Sequence, residues 1–181
     1  MTRYPPLLSP DVRARAARIR LAIFDVDGVM TDGRLFFDDA GREYKSFHVR
    51  DGHGIKLLLQ SGVEVAVISG RSSPNVAHRM ASLGLRHVYL GQDDKLAAFE
   101  TLCRDLGLAA EQVAHVGDDL IDLCLLSRVG LAVAVADAHP ALLPHVHWQT
   151  AAGGGQGAAR EVCDLILAAQ NRLQAVVAAH L

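Results

Sequence analysis

Half of the 181 residues are hydrophobic and the net charge is −2 at pH 7. A chain of this length can bury one sizeable core, and its charge gives no general attraction to nucleic acid or a membrane surface. No apolar run reaches the ~18 residues of a membrane span. Cys103, Cys124 and Cys163 are far apart and odd in number, and read as reduced packing residues of a cytoplasmic protein.

In chain order, residues 1–20 read as an N-terminal helical extension. They are arginine-rich and lack the apolar stretch of a secretory signal. Ser9-Pro10-Asp11 reads as a helix start, and Val12, Ala16 and Ile19 fall on one helical stripe. Residues 21–181 read as a single domain in which apolar strands alternate with helices. The strands are expected at 21–26, 63–69, 87–90, 113–117, 131–136 and 147–150. Ile55, Leu58 and Leu59 mark a helix closed by Gly62. Ser73-Pro74 opens another, ending at Gly84, and Leu96, Phe99, Leu102 and Leu106 mark a third, stopped by Gly107. Near-continuous apolar strands in this alternation predict an α/β fold, a doubly wound, Rossmann-like parallel sheet covered on both faces. Residues 34–49 break the alternation and read as a small β-hairpin insertion around Asp38-Asp39-Ala40-Gly41. The stretch "AAREVCDLILAAQNRLQAVVAAH" has no Gly or Pro and predicts one long terminal helix.

The stretch "LAIFDVDGVMTDG" turns from apolar to acidic where the first strand ends. The two-residue period puts Asp25 and Asp27 on one side, ~6 Å apart, where their repulsion is roughly 3 kcal/mol at an effective dielectric near 20. Ligands in open parallel sheets sit at the carboxyl ends of the strands. There the sequence places Asp25 and Asp27, then Ser69-Gly70-Arg71, then Lys95, then Gly117-Asp118-Asp119 with Asp122. This set suits phosphoryl transfer through an aspartyl phosphate. A hard cation, Mg²⁺, takes oxygen ligands such as Asp25 and Asp118 and offsets the repulsion. Asp25 would attack phosphorus, and Asp27 would protonate the leaving alcohol and later activate water. Ser69 and the Gly70 amide would hold phosphate oxygens, and Lys95 would neutralise them. Each motif alone has a plainer explanation, as a solvated turn, a helix-start serine, a surface lysine or an N-cap; their order at successive strand ends carries the weight.

The order DxDG, S-G, K, GDDxxD resembles the haloacid dehalogenase superfamily of aspartate-nucleophile phosphatases. "FDVDGVMTDG", "HVRDGHGIKLL", "VISGRSS", "GDDLIDL", "VGLAVAVADAHP" and "GGGQGAAREVCDLIL" resemble, within it, the branch that dephosphorylates 3-deoxy-D-manno-octulosonate 8-phosphate for the inner sugar of lipopolysaccharide. The resemblance implies a hairpin in place of a cap domain, a homotetramer, and Mg²⁺ held by Asp25, Asp27 (through its main-chain carbonyl) and Asp118. It implies a small-molecule sugar acid phosphate as partner, contacted by His48, Val49, Arg50, Asp51, Gly52, Lys56, Arg71, Arg79 and Lys95. His48 and Lys56 depart from the Asn and Arg frequent in that branch, so a nine-carbon 9-phosphate or another phosphomonoester is the alternative substrate. A phospho-acceptor signalling module would use a similar Asp, hydroxyl and Lys, but has no need of Asp27.

"GGGQGA" (153–158) partly matches a dinucleotide fingerprint but lacks the following strand and acidic partner. It reads as a tight loop before a helix whose amides, with Arg160, could meet an anion. His145 and His147 read as surface residues without a third metal ligand, and His115 as a packed, hydrogen-bonded core residue.

Overall fold

A computed structural model describes residues 9–181; the first eight residues of the expected N-terminal extension lie outside them. The rest of that extension forms α1 (Pro10–Ala17), capped by Ser9, whose Oγ accepts the Val12 N–H at 3.2 Å. Val12, Ala16 and Ile19 are buried, as the stripe predicts.

The chain then runs β1 (Leu21–Phe24), a hairpin of β2 (Phe36–Phe37) and β3 (Glu43–Tyr44), α2 (Val49–Gln60), β4 (Glu64–Ile68), α3 (Pro74–Leu83), β5 (His87–Tyr89), α4 (Lys95–Leu106), β6 (Val113–Gly117), α5 (Leu123–Leu126), β7 (Leu131–Ala134), β8 (Trp148–Gln149), α6 (Ala158–Ala169) and α7 (Leu173–Ala178). Six strands form one parallel sheet in the order β5-β4-β1-β6-β7-β8, and β2 pairs antiparallel with β3 apart from it. This is the doubly wound order expected from the strand–helix alternation.

Alternate strand residues feed two cores. Ala22, Phe24, Val65, Val67, Ala114 and Val116 pack with α1, α2, α3 and α6; Leu21, Ile23, Ala66, Ile68 and Val113 pack with α4 and α5. The central strand β1 is buried on both faces, and each of its large apolar side chains contributes roughly 1.5–3 kcal/mol by leaving water.

Two expectations are corrected. The single terminal helix is two helices, α6 and α7. Asn171 adopts φ 58°, a left-handed conformation that Asn tolerates, and the Arg172 N–H turns back to the Leu167 carbonyl at 2.8 Å. The Gln170 amide fixes the break by donating to the Ile19 carbonyl at 2.7 Å. The first strand is also shorter than 21–26: β1 ends at Phe24, so Asp25 and Asp27 do not share a strand face.

Candidate active site

Strand order reverses at β1, which lies between β4 and β6. The chain leaves β1 toward the hairpin and α2 on one face, and leaves β6 toward α5 on the other, which opens a crevice at their carboxyl ends. Asp25 is the first residue past β1. Its N–H still bonds the Val116 carbonyl at 3.1 Å, and its side chain is only 3 % exposed.

A buried ionic array follows from the next two strand ends. Lys95 opens α4, and its Nζ lies 2.8 Å from Asp25 Oδ1 and 2.7 Å from Asp122 Oδ1. The same Asp122 oxygen is 3.0 Å from His115 Nε2, on β6. The other Asp122 oxygen accepts the Asp118 and Asp119 N–H groups at 3.1 and 3.4 Å. A side chain on Gly117 would overlap Asp122, with atoms at 2.5–2.6 Å, so glycine lets this carboxylate sit beneath the strand end. Asp118 leans over Gly28, which at φ 90° has no Cβ to block it.

Burial sets the charges apart. It raises the Asp25 carboxyl to about 6, aided by repulsion from Asp122 and opposed by Lys95. Asp118 rises to about 7, from burial and then from Asp25, Asp122 and Asp119. Burial also acts to raise Asp122, but the hydrogen bond from His115, with the charge of Lys95, holds it well below the ordinary range. For Lys95 burial disfavours the ammonium, yet Asp25 and Asp122 outweigh it and raise its pKa.

These residues fit a hard divalent cation. Carboxylate oxygens of Asp25, Asp118 and Asp122 lie within 4.8 Å of one another. Asp122 has its acceptor positions filled by Lys95, His115 and two main-chain amides, which leaves Asp25 and Asp118 as side-chain ligands. Among the described residues no hydrogen bond reaches the Asp118 carboxylate, which acids surround; an oxygen-seeking ion there would relieve the repulsion.

Asp27 faces the hairpin rather than Asp25. Lys45, whose side chain is fully enclosed, bonds Asp27 Oδ1 and lies 3.1 Å from Glu43 Oε1. Arg71 Nη2 meets Glu43 Oε2 at 2.5 Å, and its Nε is 3.9 Å from Asp27 Oδ2. The two carboxylates that open the site therefore meet different lysines, each shared with a second acid. Sequence reasoning missed Lys45 and Glu43; their only signal was their two-residue spacing along the hairpin's second arm.

Ser69 is buried just past β4, and its Oγ accepts the Arg71 N–H at 3.3 Å, leaving its hydroxyl hydrogen to donate. A Cβ on Gly70 would meet only the Gln92 carbonyl, at 3.8 Å. His48 is the N-cap of α2, its Nδ1 accepting the Arg50 N–H at 3.2 Å. Val49 and Arg50 are exposed beside it. Arg79 packs against Gly52, where no side chain intervenes, with its Cζ 5.9 Å from the Phe47 ring centre; among the described residues its buried Nε has no hydrogen-bond partner. Lys56 lies on the exposed side of α2, eight residues beyond its cap, about 12 Å along the axis.

Asp51 is 1 % exposed and is not presented to the crevice. Its Oδ1 accepts the Arg160 N–H at 2.8 Å and so caps α6 from α2. Burial raises its pKa, against the lowering effect of that amide. The anion at the start of the glycine-loop helix is thus this internal carboxylate, and the Arg160 guanidinium is engaged with Asp164 at 2.7 Å. His147 accepts the Ala132 N–H at 2.9 Å, a structural role rather than the surface position expected.

Fold and site together define a haloacid dehalogenase-like hydrolase, and a family model of that description matches residues 87–161. The chain is 53 % identical over 172 residues, 95 % of this chain and 91 % of the relative, to a 3-deoxy-D-manno-octulosonate 8-phosphate phosphatase of Escherichia coli strain B. The chain belongs to the family of 3-deoxy-D-manno-octulosonate 8-phosphate phosphatases. A crystal structure of that phosphatase from Yersinia pestis superposes with a TM-score of 0.93 at 50 % identity, covering 96 % of this chain and 94 % of the other. Another, from Moraxella catarrhalis in complex with a magnesium ion, a phosphate ion and KDO, gives 0.92 at 40 % identity, covering 94 % and 98 %.

Proposed function

We propose that this protein is a Mg²⁺-dependent phosphoric monoester hydrolase. It converts 3-deoxy-D-manno-octulosonate 8-phosphate to the free sugar acid and inorganic phosphate, in synthesis of the inner-core sugar of lipopolysaccharide. The observation that carries this reading is the buried Asp25–Lys95–Asp122 array with Asp118 beside it at the end of β1; the sequence relationship supplies the substrate.

Lys95 holds one oxygen of Asp25, and the other attacks phosphorus in line. The ester P–O bond breaks, and Asp27 gives its proton to the departing alkoxide. Water then attacks the aspartyl phosphate, Asp27 takes the water's proton, and inorganic phosphate leaves with Asp25 restored. The Ser69 hydroxyl and Gly70 N–H hold phosphate oxygens while the Lys95 ammonium offsets their charge. Mg²⁺, held by Asp25, the Asp27 main-chain carbonyl and Asp118, supplies neutralising charge to the phosphate dianion. Arg79, with Arg71 and Arg50, suits the sugar carboxylate by its planar donor fork. His48, Val49, Gly52 and Lys56 complete the sugar side by resemblance, and Asp51 acts through the helix it caps.

The oligomer belongs to the same reading. Phe36 and Phe37 of the hairpin are 48 % and 60 % exposed, an apolar edge that a homotetramer would cover; sedimentation giving a monomer would remove this part. The free Cys103, Cys124 and Cys163 agree with a reducing cytoplasm. Among the described residues, no helix is long and apolar enough to cross a membrane.

Phosphate release, measured side by side on the 8-phosphate and a nine-carbon 9-phosphate with and without Mg²⁺, tests the function. Preference for the 8-phosphate, abolished by chelation, is expected. Equal slow turnover of every phosphomonoester would reject the sugar assignment, and a stable phospho-aspartate without turnover would reject the phosphatase.

A further inference from the structure

We infer that His115 is a positioning residue for this hydrolysis: through Asp122 it fixes Lys95 against the nucleophile Asp25.

On β6, His115 is paired with Ile23 of β1 and Ala132 of β7, and its side chain has no solvent exposure. The strand residues that pack on this face, Leu21, Ile23, Ala66, Ile68, Val113 and Ala132, are all apolar. An aliphatic side chain would pack here as readily. Among the described residues the histidine instead makes one hydrogen bond, Nε2 to Asp122 Oδ1 at 3.0 Å, and its buried Nδ1 has no partner. A ring with one partner and one orphaned nitrogen is poorly accounted for by core packing.

The direction of that bond follows from its neighbours. Asp122 accepts from Lys95 and from the Asp118 and Asp119 amides, so it is an ionised, acceptor-only carboxylate. His115 must therefore donate from Nε2. Asp122 is then gripped from three directions: the loop amides above, Lys95 from α4, and His115 from the sheet. Of these, only His115 stands on the rigid central sheet and acts on the oxygen that Lys95 shares. Without it that oxygen can rotate away, and Lys95 follows, loosening its 2.8 Å contact with Asp25. His115 itself touches neither Asp25 nor any reacting atom.

Gln carries its amide nitrogen as many bonds from the backbone as His carries Nε2, whereas Asn reaches only the Nδ1 position and Leu carries no donor. The inference rests on the phosphatase reading for its kinetic arm, which is run on the 8-phosphate with p-nitrophenyl phosphate as control. His115→Leu and His115→Asn should lower kcat about ten- to a hundredfold with KM within twofold, and His115→Gln should restore most of kcat at an unchanged melting midpoint. Equal kcat in all four proteins overturns the inference, as does a loss in His115→Gln equal to that in His115→Leu. A wild-type protein that turns over neither compound fails the phosphatase reading instead. The second arm needs no variant or substrate. In ¹⁵N-labelled wild-type protein, imidazole NMR should show the His115 proton on Nε2; a ring protonated on Nδ1 alone overturns the inference.

Discussion

Replacing Lys95 by Met keeps the aliphatic stem and removes the ammonium from between two buried carboxylates. Lys95 is 3 % exposed, Asp25 3 % and Asp122 fully buried. At 2.8 and 2.7 Å each contact is worth roughly 6 kcal/mol at an effective dielectric near 20. Desolvating the ammonium takes back several kcal/mol. In the variant Asp25, already raised to about 6, can take up a proton and limit the damage. The net expectation is a loss of about 3–5 kcal/mol, the usual result of stripping one partner from a buried pair. Urea denaturation of metal-free protein at pH 8 reads it, at fixed protomer concentration because assembly shifts apparent stability. Saturating Mg²⁺ should narrow the gap to wild type, since a cation between Asp25 and Asp118 replaces part of the missing charge. A loss below about 1 kcal/mol without metal would refute the view that Lys95 is the counter-charge of this cluster.

Asp25→Asn should abolish phosphate release without lowering the melting midpoint, because it removes the nucleophile and part of the repulsion; Asp27→Asn should slow turnover by about 10²–10⁴. Mg²⁺ affinity should depend on pH. Asp118, at about 7, and Asp25, at about 6, carry protons in the metal-free protein below those values, and binding must expel them. Affinity should therefore fall about tenfold per pH unit below 7 and more steeply below 6, with proton release seen by calorimetry in two buffers. No release at pH 6.5 would contradict the raised Asp118 value. Gly154→Ala would drive a Cβ into the Gly28 carbonyl and to 2.8 Å from the Thr31 carbonyl. It should cost about 1–3 kcal/mol of stability and lower kcat by shifting the Asp27 loop; a wild-type melting midpoint and rate would argue against that packing.

The sequence by itself determined the parallel sheet, the helix stops at Gly84 and Gly107, and the placement of Asp25, Ser69, Lys95 and Asp118 at strand ends. Those features are local: apolar periodicity, turn residues and motif order are written in consecutive residues. Tertiary structure decided which charges meet. Nothing along the chain says that Lys45, eighteen residues from Asp27, returns to bind it, or that Asp51 caps a helix 109 positions away. The break at Asn171 was hidden for a related reason, because it depends on Gln170 reaching Ile19 across the fold. His115 was legible as a buried residue but not as a link to Lys95, since that link needs β6, the Asp122 turn and α4 packed together. Long-range electrostatic pairing depends on distance in space, and hydrophobic pattern fixes only which face of each element turns inward.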